Sequence, residues 1–131
     1  MKLKHVCTYL FTAIIVSSPL AASAQTYSSQ ADREYLSRVN QSLTRQNSPL
    51  LAVPDDQKIA AAQYTCTQLN SGRTMASLDD EILGASLKVD KGEKRDAFVD
   101  FLVITQVVGI YKYCPQHIPQ LNDSIEANRQ N

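Results

Sequence analysis

Apolar residues recur along this chain at helical rather than alternating intervals. From about Gln30 to Gln46, Tyr35, Leu36, Val39 and Leu43 stand three or four apart among Arg, Glu, Gln and Ser, which predicts an amphipathic first helix. Asn47-Ser48-Pro49 closes it, because proline cannot continue the hydrogen-bond ladder. A short apolar linker, Leu50 to Val53, then leads to Pro54. Asp55-Asp56 offers a cap and favourable negative charge for a second helix, whose inner stripe is Ile59, Ala62, Cys66 and Leu69. Gly72 supplies its left-handed stop. A third helix, from near Met75 to Leu87, carries Met75, Leu78, Ile82 and Ala85 on one face, with Asp79, Asp80 and Glu81 on the other.

The next stretch is the most apolar after the N-terminal segment. Asp90-Lys91-Gly92-Glu93 has the form of a capping box, with Asp90 as cap and Glu93 reaching back. It is followed by Ala97, Phe98, Val99, Phe101, Leu102, Val103, Ile104, Val107, Val108, Ile110 and Tyr111. The many β-branched residues suit a buried strand as well as a helix, and periodicity alone does not separate the two. About twenty residues without a turn signal are too long for an ordinary strand, so a central helix buried on nearly all sides is predicted. Asp100 and the length argue against a membrane span. Cys114-Pro115 ends this helix, and Pro119 opens a short final one bearing Leu121 and Ile125. The fold class that results is all-α, a small bundle of four to five helices.

The N-terminus reads differently. Lys2 and Lys4 precede a mostly apolar run from Val6 to Val16, then Ser17-Ser18-Pro19 and the small residues Ala21-Ala22-Ser23-Ala24. This is the pattern of a cleavable export signal, residues 1–24, cut between Ala24 and Gln25. Its apolar core is shorter than the roughly 20 residues of a spanning helix, and Pro19 and the cleavage box also oppose a retained anchor. Cys7 lies within that core, away from the cut, so no lipid anchor is expected. The mature domain is then 25–131, exported to the periplasm or the extracellular space without a stable membrane anchor. Loss of Lys2 and Lys4 lowers the 13 basic residues to 11 against 13 acidic ones, a formal charge of −2. That balance offers no electrostatic footprint for nucleic acid or anionic lipid.

Two cysteines remain, Cys66 and Cys114. In an oxidising compartment an even pair in a small domain reads as a disulfide, worth about 4 kcal/mol for a loop of this length. The competing reading is a metal site built on Cys66, Cys114 and His117, the last two in C-x-x-H spacing, but it has no fourth ligand. Asp79, Asp80 and Glu81 lack the alternating spacing and glycine of a calcium loop, so a solvated face is expected. No motif assembles a catalytic set. Ser-His-Asp chemistry has only His117 to draw on, and a paired-carboxylate hydrolase drawing on Asp79, Asp80 or Asp100 has no readable spacing. Tyr111, Tyr113 and His117 are candidates to line a cleft or ligate haem iron, against the plainer reading of core-edge side chains.

Two local patterns stand out in order. Cys66-Thr67-Gln68-Leu69-Asn70-Ser71-Gly72 reads C-x-x-L-x-x-G, and Tyr113-Cys114-Pro115-Gln116 closes the long apolar segment. After an export signal and an opening helix with Tyr35-Leu36, they resemble the bacterial secreted family called "domain of unknown function 732", over about residues 30–118. Ala62 stands where that family commonly has glycine, and the segment 47–57 is extended relative to it. The resemblance implies a small exported helical protein with bridged cysteines and no established activity, cofactor or catalytic residue. A non-enzymatic binding or interaction module is therefore expected, its partner a protein or a small apolar ligand. The alternatives are a carrier of lipid or haem and, further off, a small hydrolase. A carrier needs an enclosed apolar cavity, whereas an interaction protein needs an exposed apolar patch.

Overall fold

The structure, a computed structural model, describes residues 29–131; the predicted export signal 1–24, Cys7 and the predicted cleavage point between Ala24 and Gln25 lie outside the described residues. Five α-helices follow in order: α1 Gln30–Arg45, α2 Asp55–Asn70, α3 Met75–Ser86, α4 Glu93–Tyr113 and α5 Ile118–Arg129. Short 3-10 turns, Pro49–Ala52 and Pro115–His117, precede α2 and α5. No strand occurs among the described residues. The β-branched run of α4 is helical, as its length required.

The helix stops are backbone devices. Asn47 adopts φ 50° and Gly72 φ 94°, each just past a helix end. The amide of Asn47 donates to the Thr44 carbonyl and that of Ser48 to Leu43. Gly72 and Arg73 repeat the pattern on Leu69 and Gln68. These paired bonds form the left-handed motif that satisfies carbonyls left over at a helix end. Gly72 does what its sequence position predicts. For α1, however, the turn is made by Asn47 itself, with Pro49 downstream of it.

Two expected N-terminal caps are corrected. Pro54 holds the cap position of α2 and Gly92 (φ 95°) that of α4, neither with a side-chain capping bond. Asp55 instead pairs with Lys58 at 3.5 Å, and Asp90 with Lys94 at 3.8 Å. Side-chain caps form at Thr74, whose hydroxyl accepts from the Ser77 amide at 3.1 Å, and at Ser48, whose hydroxyl accepts from the Leu50 amide at 3.3 Å ahead of the first 3-10 turn.

Helices α2 and α4 form the spine. At their crossing Gly109 faces Ala62 so closely that a Cβ on Gly109 would lie 2.6 Å from the Ala62 Cβ. One turn further along α2, Cys66 bridges to Cys114, with Cα atoms 5.8 Å apart. Around this spine the core divides in two. Tyr35, Val39 and Leu43 of α1 pack with Ile59, Ala62 and Phe101. At the disulfide end, Cys66, Leu69, Met75, Leu78, Ile110, Cys114 and Leu121 pack together. The chain bends by 114° between α4 and the segment carrying α5, and no single helix among the described residues is long and apolar enough to cross a membrane.

Polar groups tie α1 into this frame. Lys58, 2% exposed, donates to the Asn40 Oδ1 and to the Leu51 carbonyl, each at 2.9 Å. One ammonium thus joins α1, the first 3-10 turn and α2, which is how a buried charge is tolerated. The Tyr35 hydroxyl donates to the Lys58 carbonyl at 2.6 Å. Tyr113 donates to Asp32 at 2.6 Å and stacks obliquely on Tyr35, with ring centroids 5.3 Å apart. Glu34 and Lys112 form an ion pair beside them.

Both tyrosines are pushed far above the ordinary phenol range, Tyr35 by burial and Tyr113 by burial and then by its bond to Asp32. Raised acids hold their protons in the folded state after the unfolded chain has begun to lose them. Their contribution to stability is complete below the unfolded value, about pH 10, and is lost as pH rises beyond it. Stability measured by urea denaturation is therefore expected to be flat in this respect up to about pH 10 and to fall steeply above it. A Tyr35→Phe chain, although less stable at neutral pH for want of the bond to Lys58, should show a shallower alkaline decline. An unchanged slope in that variant would remove Tyr35 from this account.

Candidate functional site

The apolar excess of α4 is not fully covered by its neighbours. α3 and α5 are 12 residues each against 21 for α4. α3 docks through Met75 and Leu78, and α5 through Leu121, all into the cluster at the disulfide end. Toward the other end of α4 the apolar side chains outrun the helices that might bury them. Leu83 remains 58% exposed, Val103 44% and Ile125 38%. α4 is therefore the centre of the bundle but is not enclosed on nearly all sides, as its composition had predicted.

This shortfall shapes a groove of about 620 Å³ between α3, α4 and α5, open along one side. Met75, Leu83, Val99, Val103, Val107 and Ile125 supply its apolar wall. Its polar element is Asp79, which accepts from the buried Gln106 side chain at 3.3 Å and from the Ser124 hydroxyl at 3.2 Å, joining the three helices. The expected solvated acidic face of α3 is thus only partly so. Asp79 is half-buried and bridged, while Asp80 is exposed at the groove margin.

A second hollow of about 340 Å³ lies on the other flank of α3, against α2 and α4, lined in part by Leu78, Ile82, Phe98 and Leu102. Glu81 and Tyr64 stand at its edge. Tyr64 donates to Glu81 at 2.7 Å and Arg73 pairs with Glu81 at 2.7 Å, holding its carboxyl below the usual carboxylate range. Arg73 also reaches Gln68 and Ser77, so this network fastens the turn between α2 and α3.

Of the residues singled out in the sequence, Cys66 and Cys114 are brought together and bonded. The remaining candidates do not converge. His117 is half-buried, its Nε2 lying 2.8 Å from the Asn70 Oδ1. Tyr113 is turned to Asp32, while Tyr111 and Asp100 are exposed. None of these four lines either groove. No group of three or more metal-ligating side chains occurs among the described residues. The groove itself was not foreseen, although its signal was present: a long segment apolar all round beside a final helix whose large apolar side chains are only Ile118, Leu121 and Ile125. No family model, curated protein or solved structure matches the chain.

Proposed function

We propose that the chain is an exported, non-enzymatic interaction module that presents the groove between α3, α4 and α5 to a partner protein in the cell envelope or outside the cell. The exposed apolar wall formed by Leu83, Val103 and Ile125 carries this reading, since a small domain gains nothing for its own stability from apolar side chains left in water. The groove is open along one side, which suits a protein surface better than a retained lipid or haem. Export accords with the N-terminal signal pattern and with a buried disulfide, a bond that persists in oxidising compartments. The resemblance to the "domain of unknown function 732" family belongs to the same proposal.

The test is made in the source cell. A photo-crosslinking residue placed at Val103 of the full chain is expected to yield a covalent adduct with a polypeptide, and Leu83→Glu should abolish it. Native mass spectrometry of the purified protein supplies the opposing outcome. A retained small molecule, with no polypeptide adduct, would establish a carrier and overturn the interaction reading. The same measurement reads the mass of the mature chain, and a mass that includes residues 1–24 would overturn cleavage of the signal.

A further inference from the structure

The charge around the groove identifies the chemistry of its occupant. Among the residues that line it there is no lysine or arginine, but Asp79 and Asp80 stand on the α3 side. On α4, Asp96, Asp100, Val103 and Val107 follow at intervals of four, three and four residues, which places both carboxylates on the helix flank that supplies the apolar wall. Among the described residues none of these four aspartates takes part in an ion pair, whereas Glu34, Asp55, Glu81, Asp90 and Glu126 all do. An apolar trough bordered by carboxylates that have no cation partner among the described residues is complementary to a segment with apolar anchors and flanking cations.

We propose that this groove receives a basic amphipathic helix of a partner protein. The proposal rests on the interaction reading above and adds the occupant's class. Apolar anchors spaced i, i+3 or i+4, and i+7 would seat between Leu83, Val103 and Ile125, as helices seat in grooves elsewhere. Lysine or arginine beside those anchors would face Asp80 on one margin and Asp96 and Asp100 on the other. Such charges chiefly speed encounter and select the partner, so binding should weaken as salt rises. An anionic membrane is repelled by the same margin. A second copy of this chain is a poor fit: α1 carries Arg33, Arg38 and Arg45, but its apolar stripe is buried in the core.

The experiment uses the mature, oxidised chain and a display library of peptides patterned as amphipathic helices about four turns long, with Lys/Arg and Asp/Glu equally represented at polar positions. Peptides that bind the chain but not its Leu83→Glu variant are expected to be enriched in Lys and Arg and depleted in acids. A labelled selected peptide should lose about five- to tenfold in affinity toward the Asp80→Asn, Asp100→Asn double variant at low salt, with most of the difference gone at high salt. Both aspartates are exposed, and an unchanged thermal midpoint in the double variant confirms that its fold is intact. Groove-dependent peptides without basic enrichment would overturn the charge inference and leave the interaction reading standing. A selection that returns no groove-dependent peptide, or self-association through this face detected by sedimentation, would overturn the basic-helix proposal. The crosslinking result at Val103 then decides the interaction reading separately.

Discussion

Replacing Cys66 and Cys114 together by alanine is expected to lower the thermal midpoint by about 15–30 °C. The two are 48 residues apart in sequence, so the bond removes a large share of the unfolded chain's freedom. For such a loop the chain-entropy estimate is about 4 kcal/mol, a large part of what a domain of this size has in total. Both residues are buried in the cluster with Leu69, Met75, Ile110 and Leu121. A serine pair should be worse than the alanine pair, because it puts hydroxyls into that apolar cluster at a further cost of about 1–3 kcal/mol. Circular dichroism melts of the oxidised chain, the two double variants and the reduced wild type separate the covalent effect from the packing effect. Midpoints within a few degrees of one another would mean that the five helices hold without the bond.

The second large effect is expected at Gly109. Glycine within a helix ordinarily costs about 0.5–1 kcal/mol relative to alanine, so Gly109→Ala would stabilise an unencumbered helix. Here the added Cβ meets the Ala62 Cβ at 2.6 Å and the Ala62 Cα at 3.0 Å. Alanine has no side-chain rotation with which to yield, so the helices themselves must separate. Moving α2 away from α4 also pulls on Cys66, one turn beyond Ala62 and bonded to the end of α4. A net loss of about 2 kcal/mol is expected for Gly109→Ala, and more for Gly109→Val, whose branched side chain is larger. The exchanged pair, Ala62→Gly with Gly109→Ala, should recover at least half of the loss. The coupling in that double-mutant cycle, read by urea denaturation, reports the contact directly. Additive effects would show that the crossing has slack that its geometry denies.

Much of the fold was legible because one-dimensional spacing encodes it. The stripe Ile59, Ala62, Cys66, Leu69 is buried as its three- and four-residue intervals required, and all four residues are in the core. Gly72 stops α2 because few other residues take its positive φ cheaply. Capping was less legible. Asp55 and Asp90 are the right residue types, but a cap also needs a particular backbone geometry at that position, and Pro54 and Gly92 occupy it instead. The candidate site was the least legible part. A groove arises from the difference between what one helix offers and what its neighbours cover, a quantity that belongs to three elements at once. Asp79 shows the same limit: its place on the acidic face of α3 is plain, but Gln106 and Ser124 reach it only after α4 and α5 have been placed.

The disulfide also has a topological consequence for the groove. Its covalent ring runs from Cys66 to Cys114 and so encloses all of α3 and α4, while α5 hangs outside it. Two walls of the trough belong to a closed loop whose opening is restricted by a bond. The third is a tail secured by Leu121 and by the reach of Ser124 to Asp79. Local unfolding therefore has an inexpensive route, in which the tail lifts while the ring stays shut, and the trough widens without loss of the spine. Of the three walls of the groove, α5 is thus the one whose position the bond does not restrict.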